Sequence, residues 1–539
     1  KLFETFIFYF NYLLLSINEC PMNFQKINFL RYLFLFSCFI PLLWFRDFTP
    51  NNELKYLSIA DEAIRNGHFF TFWNHGVMYA DKPPLYFWIV MLGKWLLECH
   101  SMFFLSLFSI IPALVILYVM DKWVRGVDPK IASSGQLMLM TSGLFAGSAI
   151  VLRMDMLMSM FIVLALYTFY RQYVGNAVKY ASILLPVYIF LAVFTKGPVG
   201  VLVPLLSISC FLLLKGQIRH FGRYFGWKQF GILVGLCLCW FSGVYLEGGK
   251  SYLNNLLFHQ TVNRAIDSFH HKEPLWYYLK TIWYSLAPWI LLYATTIIWG
   301  IKKQLIDNDL KKLFVVVITT TFIALSIFSG KLDIYLLPIF PFIAYLAFIL
   351  LPDLDEKYIR WTVVIPGVIL FLSFPGLFII ARYIDLPILQ ISAIPAAAFL
   401  LSVSSGICLY LLFKKRLVAA ANTLSIGLLM AILTGGFAIS GLNSYIGYGE
   451  ICQKGETIAQ ECGIKNFYFY QLSNGKNMDA YLQTDINKVD ISGISSLVDK
   501  QKFILFVSDK NLKEEVKLQQ IVNNNKVYTI GKYSFIVFN

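Results

Sequence analysis

Asp81 and Lys82 are followed at once by Pro83 and Pro84. Each proline fixes its own φ and bars helix for the residue before it, so an acid and a base are held on rigid chain. An ammonium fixed in this way can receive a phosphate, and the carboxylate beside it can move a proton. Other charged junctions stand where apolar runs end: Asn52-Glu53, Arg153-Met154-Asp155, Thr195-Lys196-Gly197-Pro198, Ser329-Gly330-Lys331 and Tyr335-Leu336-Leu337-Pro338. One charge at such a boundary is often only an anchor reaching for water. These junctions fall on one side of the apolar layer, however, and with Arg264 they gather several cations where an anionic lipid phosphate could be received. His270 and His271 are adjacent, lack helical ligand spacing, and read as a surface pair.

The elements that must position these residues are membrane spans. The 539-residue chain is 58% hydrophobic and only 14% charged, against roughly a quarter charged in a soluble domain. Apolar runs read as helices over 29–45, 102–121, 131–151, 155–171, 180–195, 198–214, 229–246, 281–300, 313–328, 335–351, 362–381, 386–413 and 418–440. That is about 13 spans of bilayer length, an odd number that places the chain ends on opposite sides. The fold class is therefore a polytopic α-helical membrane protein. A net charge of +14 lies in short clusters between spans, which suits a cytoplasmic leaflet and not nucleic acid. We read 1–28 as an N-terminal segment with Met22 as the natural start, and 29–440 as the membrane domain. Two long outside loops run over 46–100 and 247–280, the first with surface helices over Ser58–Asn66 and Leu85–Leu97. From 441 to 539 a small α/β domain is expected, with strands over Lys465–Leu472, Phe503–Ser508, Val527–Ile530 and Tyr533–Phe538 and helices over Lys454–Glu461 and Leu512–Val522. Nine cysteines lack metal or redox spacing, and Cys452 and Cys462 are a candidate disulfide in an oxidising compartment.

Taken in order, the motifs carry a resemblance. Asn52, Glu53 and Tyr56 come first, then Asp81-Lys82-Pro83-Pro84-Leu85-Tyr86, Arg153 with Asp155-Met156, and Thr195-Lys196-Gly197-Pro198. His259 precedes Arg264 and Pro274-Leu275-Trp276-Tyr277-Tyr278, and Ser329-Gly330-Lys331 precedes Tyr335 and Leu337-Pro338. Over roughly residues 29–440 this series resembles the ArnT branch of the protein mannosyltransferase-related superfamily. The resemblance implies a GT-C fold and a glycosyltransferase of the bacterial inner membrane, its active site facing the periplasm. The donor would be a sugar on undecaprenyl or another polyprenyl phosphate, and the acceptor lipid A, a glycan or a protein; membrane lipids are its other partners.

By the same resemblance Lys82, Arg264 and Tyr335 match ligands of the carrier phosphate, to which Lys196 and Lys331 would add positive potential. Asp155 matches an acid near the sugar, and Asp81 with His259 a pair able to hold a divalent metal, although the family usually has Glu where Asp81 stands. The family commonly has Asp-Glu where this chain has Asn52-Glu53. An amide cannot take a proton at neutral pH, so Glu53, Asp81 or Asp155 supplies the base, or none is needed. A hydroxyl acceptor needs a base, whereas a phosphate is already anionic. Direct attack would invert the anomeric centre. A transporter or flippase of a lipid-linked anion, or a binder without turnover, is the competing reading of the same spans and cations.

Overall fold

The computed structural model describes residues 24–124, 129–258, 272–383, 391–498, 500–522 and 525–538. Among the described residues six helices are long and apolar enough to cross a membrane, or up to eight if each of two bent pairs is one span. Shorter apolar helices include Phe29–Phe45, Leu85–Leu97, Ala181–Lys196 and Val199–Leu214. The expected thirteen spans are therefore not thirteen straight crossings. The run 281–300 is two helices, Tyr277–Ser285 and Ile290–Lys302, bent by 117°, and 362–381 is Trp361–Phe371 and Ser373–Tyr383, bent by 41°. The run 131–151 divides into Pro129–Met140 and Gly143–Ser148, and the start of 386–413 falls outside the described residues.

Two of these breaks satisfy each other. A broken helix inside the membrane frees backbone groups that have no water to bond. Here Gly143 N–H donates to Ala287 O (2.8 Å), Trp289 Nε1 donates to Thr141 Oγ1 (2.8 Å), and Ser142 Oγ lies 3.2 Å from the Tyr293 hydroxyl. Apolar composition continues through both breaks, which is why hydropathy alone reads straight spans.

The span Asp333–Asp353 runs through the middle of the bundle, 94% of its apolar window buried, while Trp227–Phe258 stands at the edge with 17% buried. At one end of the bundle lies the first long loop. It holds the helix Glu53–Asn66, a two-stranded ribbon pairing Trp73–Asn74 with Val77–Met78, and the helix Leu85–Leu97. Glu53–Asn66 begins earlier than expected and is largely buried, whereas Leu85–Leu97 leaves Trp95 77% exposed. The edge helix is stapled to this loop. Glu247 accepts from the N–H groups of Phe69, Phe70 and Thr71, and the Tyr252 hydroxyl donates to Tyr79 O while accepting from Phe72 N–H.

The C-terminal unit carries a five-stranded sheet in the order Ile486–Lys488, Asn466–Tyr470, Phe503–Ser508, Tyr533–Phe538, Lys526–Ile530. The first three strands are mutually parallel and the last two are antiparallel to their neighbours. Alternate residues serve two cores: Phe467, Phe469, Ile504 and Phe506 face one side, and Phe503, Leu505, Val507 and Ile536 the other. The four expected strands are present, while Ile486–Lys488, three residues long with two of them exposed, gave no periodicity to read. Cys452 and Cys462 are both free thiols on one helix, Gly449–Cys462. Ten residues of helix separate them by about 15 Å, well beyond disulfide reach.

This unit is seated on the first loop by Asp47. Its carboxylate accepts from Gly449 N–H (2.8 Å), Phe48 N–H (2.8 Å) and the Tyr481 hydroxyl. A methyl group on Gly447 would run into that carboxylate and come within 2.6 Å of Phe48 O. Gly447→Ala is therefore expected to loosen the seat by about 1–3 kcal/mol, the usual cost of overpacking. Limited proteolysis should then cut near residue 447 faster than in the parent, with the sheet itself still resistant.

Candidate active site

Each charged junction has a local cause. Gly197 has φ 105°, a conformation that favours glycine, and ends the helix Ala181–Lys196; Pro198 starts Val199–Leu214. Lys196 therefore lies in a helix's last turn, where a cation is favoured, and Asp155 opens the helix Asp155–Tyr173, where an anion is favoured. A Cβ on Gly200 would fall about 2.4 Å from the backbone of Ala192 and Val193, so glycine lets the two helices meet closely behind Lys196.

These elements bring one cluster together. Asp155, 1% exposed, pairs with Lys196 through Oδ1 and lies 3.4 Å from Arg153 Nε through Oδ2. The Lys196 ammonium sits 4.2 Å from the centre of the Tyr335 ring, a cation–π contact. Lys82 Nζ pairs with Asp81 Oδ2 at 2.7 Å, and the Tyr79 hydroxyl reaches the same oxygen at 3.3 Å. Lys55 lies 4.3 Å over the Tyr79 ring. Burial holds the Lys55 ammonium below the usual lysine value, and the neighbouring Lys82 lowers it further. Burial raises the Tyr56 phenol; Lys82 and Arg153 pull it down and Asp155 and Tyr335 push it up. All four groups therefore act electrostatically on Tyr56.

Among the described residues, four cations, Lys55, Lys82, Arg153 and Lys196, face two carboxylates, Asp81 and Asp155. The excess positive charge lies in a half-buried site, where it acts more strongly than in water. Such a site can hold a phosphate.

Not every expected residue joins it. Glu53, 0% exposed, is bound at both oxygens by Arg46, each at 2.7 Å. It also accepts from Thr49 N–H, Thr49 Oγ1 and Leu152 N–H, at 2.8, 2.9 and 2.8 Å. A carboxylate so fully engaged has the partners of a structural joint, and the cation beside it weakens it as a base. Asn52 is exposed at the start of the same helix and makes no side-chain cap. Lys331, 3% exposed, turns to the Glu273 carbonyl (2.8 Å). Arg264 and His259 lie outside the described residues, as does the His270–His271 pair. Asp81 is committed to Lys82 and Tyr79, a poor fit to a metal, and among the described residues no three His, Cys, Asp or Glu side chains converge.

Lys55 and Tyr79 join the site without having been singled out, beside Tyr56 of the motif series. The available signal was helical spacing: Lys55 and Tyr56 follow Glu53 within one turn, beside the Asn52-Glu53 motif.

The bundle, the first loop with its two helices and the small sheet domain together match the GT-C fold. In fold the chain is similar to ArnT. Its structure matches ArnT from Cupriavidus metallidurans bound to undecaprenyl phosphate with a TM-score of 0.73, at 15% identity over 94% of this chain and 97% of that one. The apo form of the same protein gives 0.71 at 16% identity, with the same coverage. In sequence the chain is 25% identical over 326 residues to an uncharacterized protein of Aquifex aeolicus, covering 58% of this chain and 63% of that one. It is 24% identical over 311 residues to an undecaprenyl phosphate-α-4-amino-4-deoxy-L-arabinose arabinosyl transferase of Pseudomonas fluorescens, covering 55% and 52%. The alignments thus span between about half and just under two thirds of these curated relatives. No family model matches the chain.

Proposed function

We propose that the chain is a glycosyltransferase that moves a sugar from a polyprenyl phosphate to a phosphate-bearing acceptor of the lipid A type, at the periplasmic face of the inner membrane. The observation that carries this reading is the cation-rich cluster around Tyr56 on an ArnT-type fold. The donor phosphate is a diester with one negative charge. As the bond from the sugar C1 to the phosphate oxygen breaks, its electron pair passes to that oxygen and the carrier leaves as a monoester of higher charge. Fixed cations stabilise that growing charge more than they stabilise the bound donor, which is the condition for catalysis. Lys82 and Lys196 hold the phosphate, with Tyr335 framing Lys196 and with Lys55, Arg153 and Arg264 adding potential. Asp155 faces the developing positive charge on C1, which is oxocarbenium-like in glycosyl transfer generally.

The acceptor follows from the carboxylates. Glu53 is spent on Arg46, Asp81 on Lys82, and Asp155 on Lys196 and Arg153. A carboxylate beside a cation is a weakened base. An acceptor oxygen that is already anionic needs none, so a phosphate acceptor suits this site better than a hydroxyl. It attacks C1 opposite the leaving group and inverts the centre.

Purified full chain with undecaprenyl-phosphate aminoarabinose and lipid A tests the reading. Lys82→Ala is expected to weaken donor use by about 30- to 100-fold, the worth of one charge-assisted contact. Parent-like turnover in that variant, or equal transfer to lipid A stripped of its phosphates, would overturn it.

A further inference from the structure

The motif Trp276-Tyr277-Tyr278 takes no part in the cluster described above, yet its second residue reaches a carboxylate close by. Tyr277 and Tyr284 stand seven residues apart on the helix Tyr277–Ser285 and so share a face. Both phenols donate to Asp333, Tyr277 to Oδ1 and Tyr284 to Oδ2 at 2.6 Å. Hydrogen bonds to an ionised carboxylate are the strong kind, and here each oxygen takes one. Asp333 opens the short 3-10 run Asp333–Ile339, with Tyr335 two residues on.

The same two stretches are joined a second time. Lys272 and Gly330 form an antiparallel bridge, Glu273 N–H donates to Ser329 O at 3.2 Å, and Lys331 Nζ donates to Glu273 O at 2.8 Å. A segment pinned at 329–331 and again at 333 leaves little freedom to the ring at 335. That ring covers Lys196, whose ammonium pairs with Asp155.

We propose that Asp333 is a positioning residue: its two-phenol clasp fixes the Tyr335 ring and, through it, the Lys196 ammonium in the phosphate cradle. The inference rests on the cradle reading for its catalytic meaning, but its geometry can be tested without turnover. Tyr277→Phe/Tyr284→Phe keeps both rings and removes only the two O–H donors. In the purified full chain, acylation of Lys196 by an amine-reactive ester, read by mass spectrometry, is expected to rise on the order of tenfold. Binding of undecaprenyl phosphate should weaken by a similar factor. Lys311, whose side chain is 6% exposed although its partner Asp307 lies at the surface, should acylate at the parent rate, since general loosening would expose it too. Asp333→Asn leaves one acceptor oxygen and should fall between parent and double variant.

Parent-level acylation of Lys196 in the double variant, while Tyr335→Ala raises it, overturns the clasp. So does an equal rise at Lys196 and Lys311. If Lys82→Ala binds the carrier as the parent does, the cradle reading is what fails, and acylation still decides the clasp.

Discussion

Glu53→Gln is expected to lower the stability of the folded chain by about 3–5 kcal/mol, the cost of breaking a buried ion pair at one partner. Arg46 would keep its charge beside Met102 and Ile150 O, with the neighbouring Asp47 carboxylate as its remaining charge partner. The loss should appear as a large drop in unfolding temperature for protein in detergent or nanodiscs, with parent-like specific activity in the fraction still folded. A stable Glu53→Gln protein with no turnover would restore Glu53 as a catalytic group. The pH dependence gives a second reading. Burial alone would raise the Glu53 carboxyl, but the Arg46 bonds and charge and the N–H groups of Thr49 and Leu152 outweigh it and hold the value below the ordinary range. A depressed carboxylate adds stability that is fully present above its unfolded value, about 4.3, and is lost as pH falls through the folded one. The parent should therefore lose stability in acid more steeply than Glu53→Gln does.

The position of Glu53 shows what could be read from the sequence and what could not. Asp81-Lys82-Pro83-Pro84 declares a rigid charged corner because the prolines act on adjacent residues. Thr195-Lys196-Gly197-Pro198 declares a helix end in the same local way, and strands such as Phe503–Ser508 follow from short-range pattern. Choice of partner is not local. Asp155 takes Lys196, 41 residues on, and Lys196 lies beneath a ring at 335. Nothing local in the sequence says that Arg46 and Leu152 N–H close on Glu53. Span counting fails for a related reason. The apolar run over 281–300 has the same composition whether the helix runs straight or turns through 117°, and only the answering break at Thr141–Gly143 determines which.

Asp155→Asn should separate affinity from turnover. The substitution keeps the side chain's shape and one acceptor oxygen but removes a negative charge from a site in which four cations face two carboxylates. An anionic donor should then bind at least as well as it does to the parent. If Asp155 faces the positive charge developing on C1, that stabilisation exists only in the transition state, and kcat falls by about 10²–10³ while KM for the donor does not rise. A purely structural Asp155 gives the opposite pattern. Lys196 and Arg153, released from their shared anion, would spread from the cradle, and KM would rise with kcat largely retained. Lys196→Ala separates the cases further, because it removes a cation from the leaving group and leaves Asp155 with Arg153 as its ion-pair partner. Its donor KM should rise as kcat falls. Measuring both variants in one preparation decides whether the pair is one catalytic device with opposite charges on opposite sides of the breaking bond, or a buried salt bridge that happens to lie beneath it.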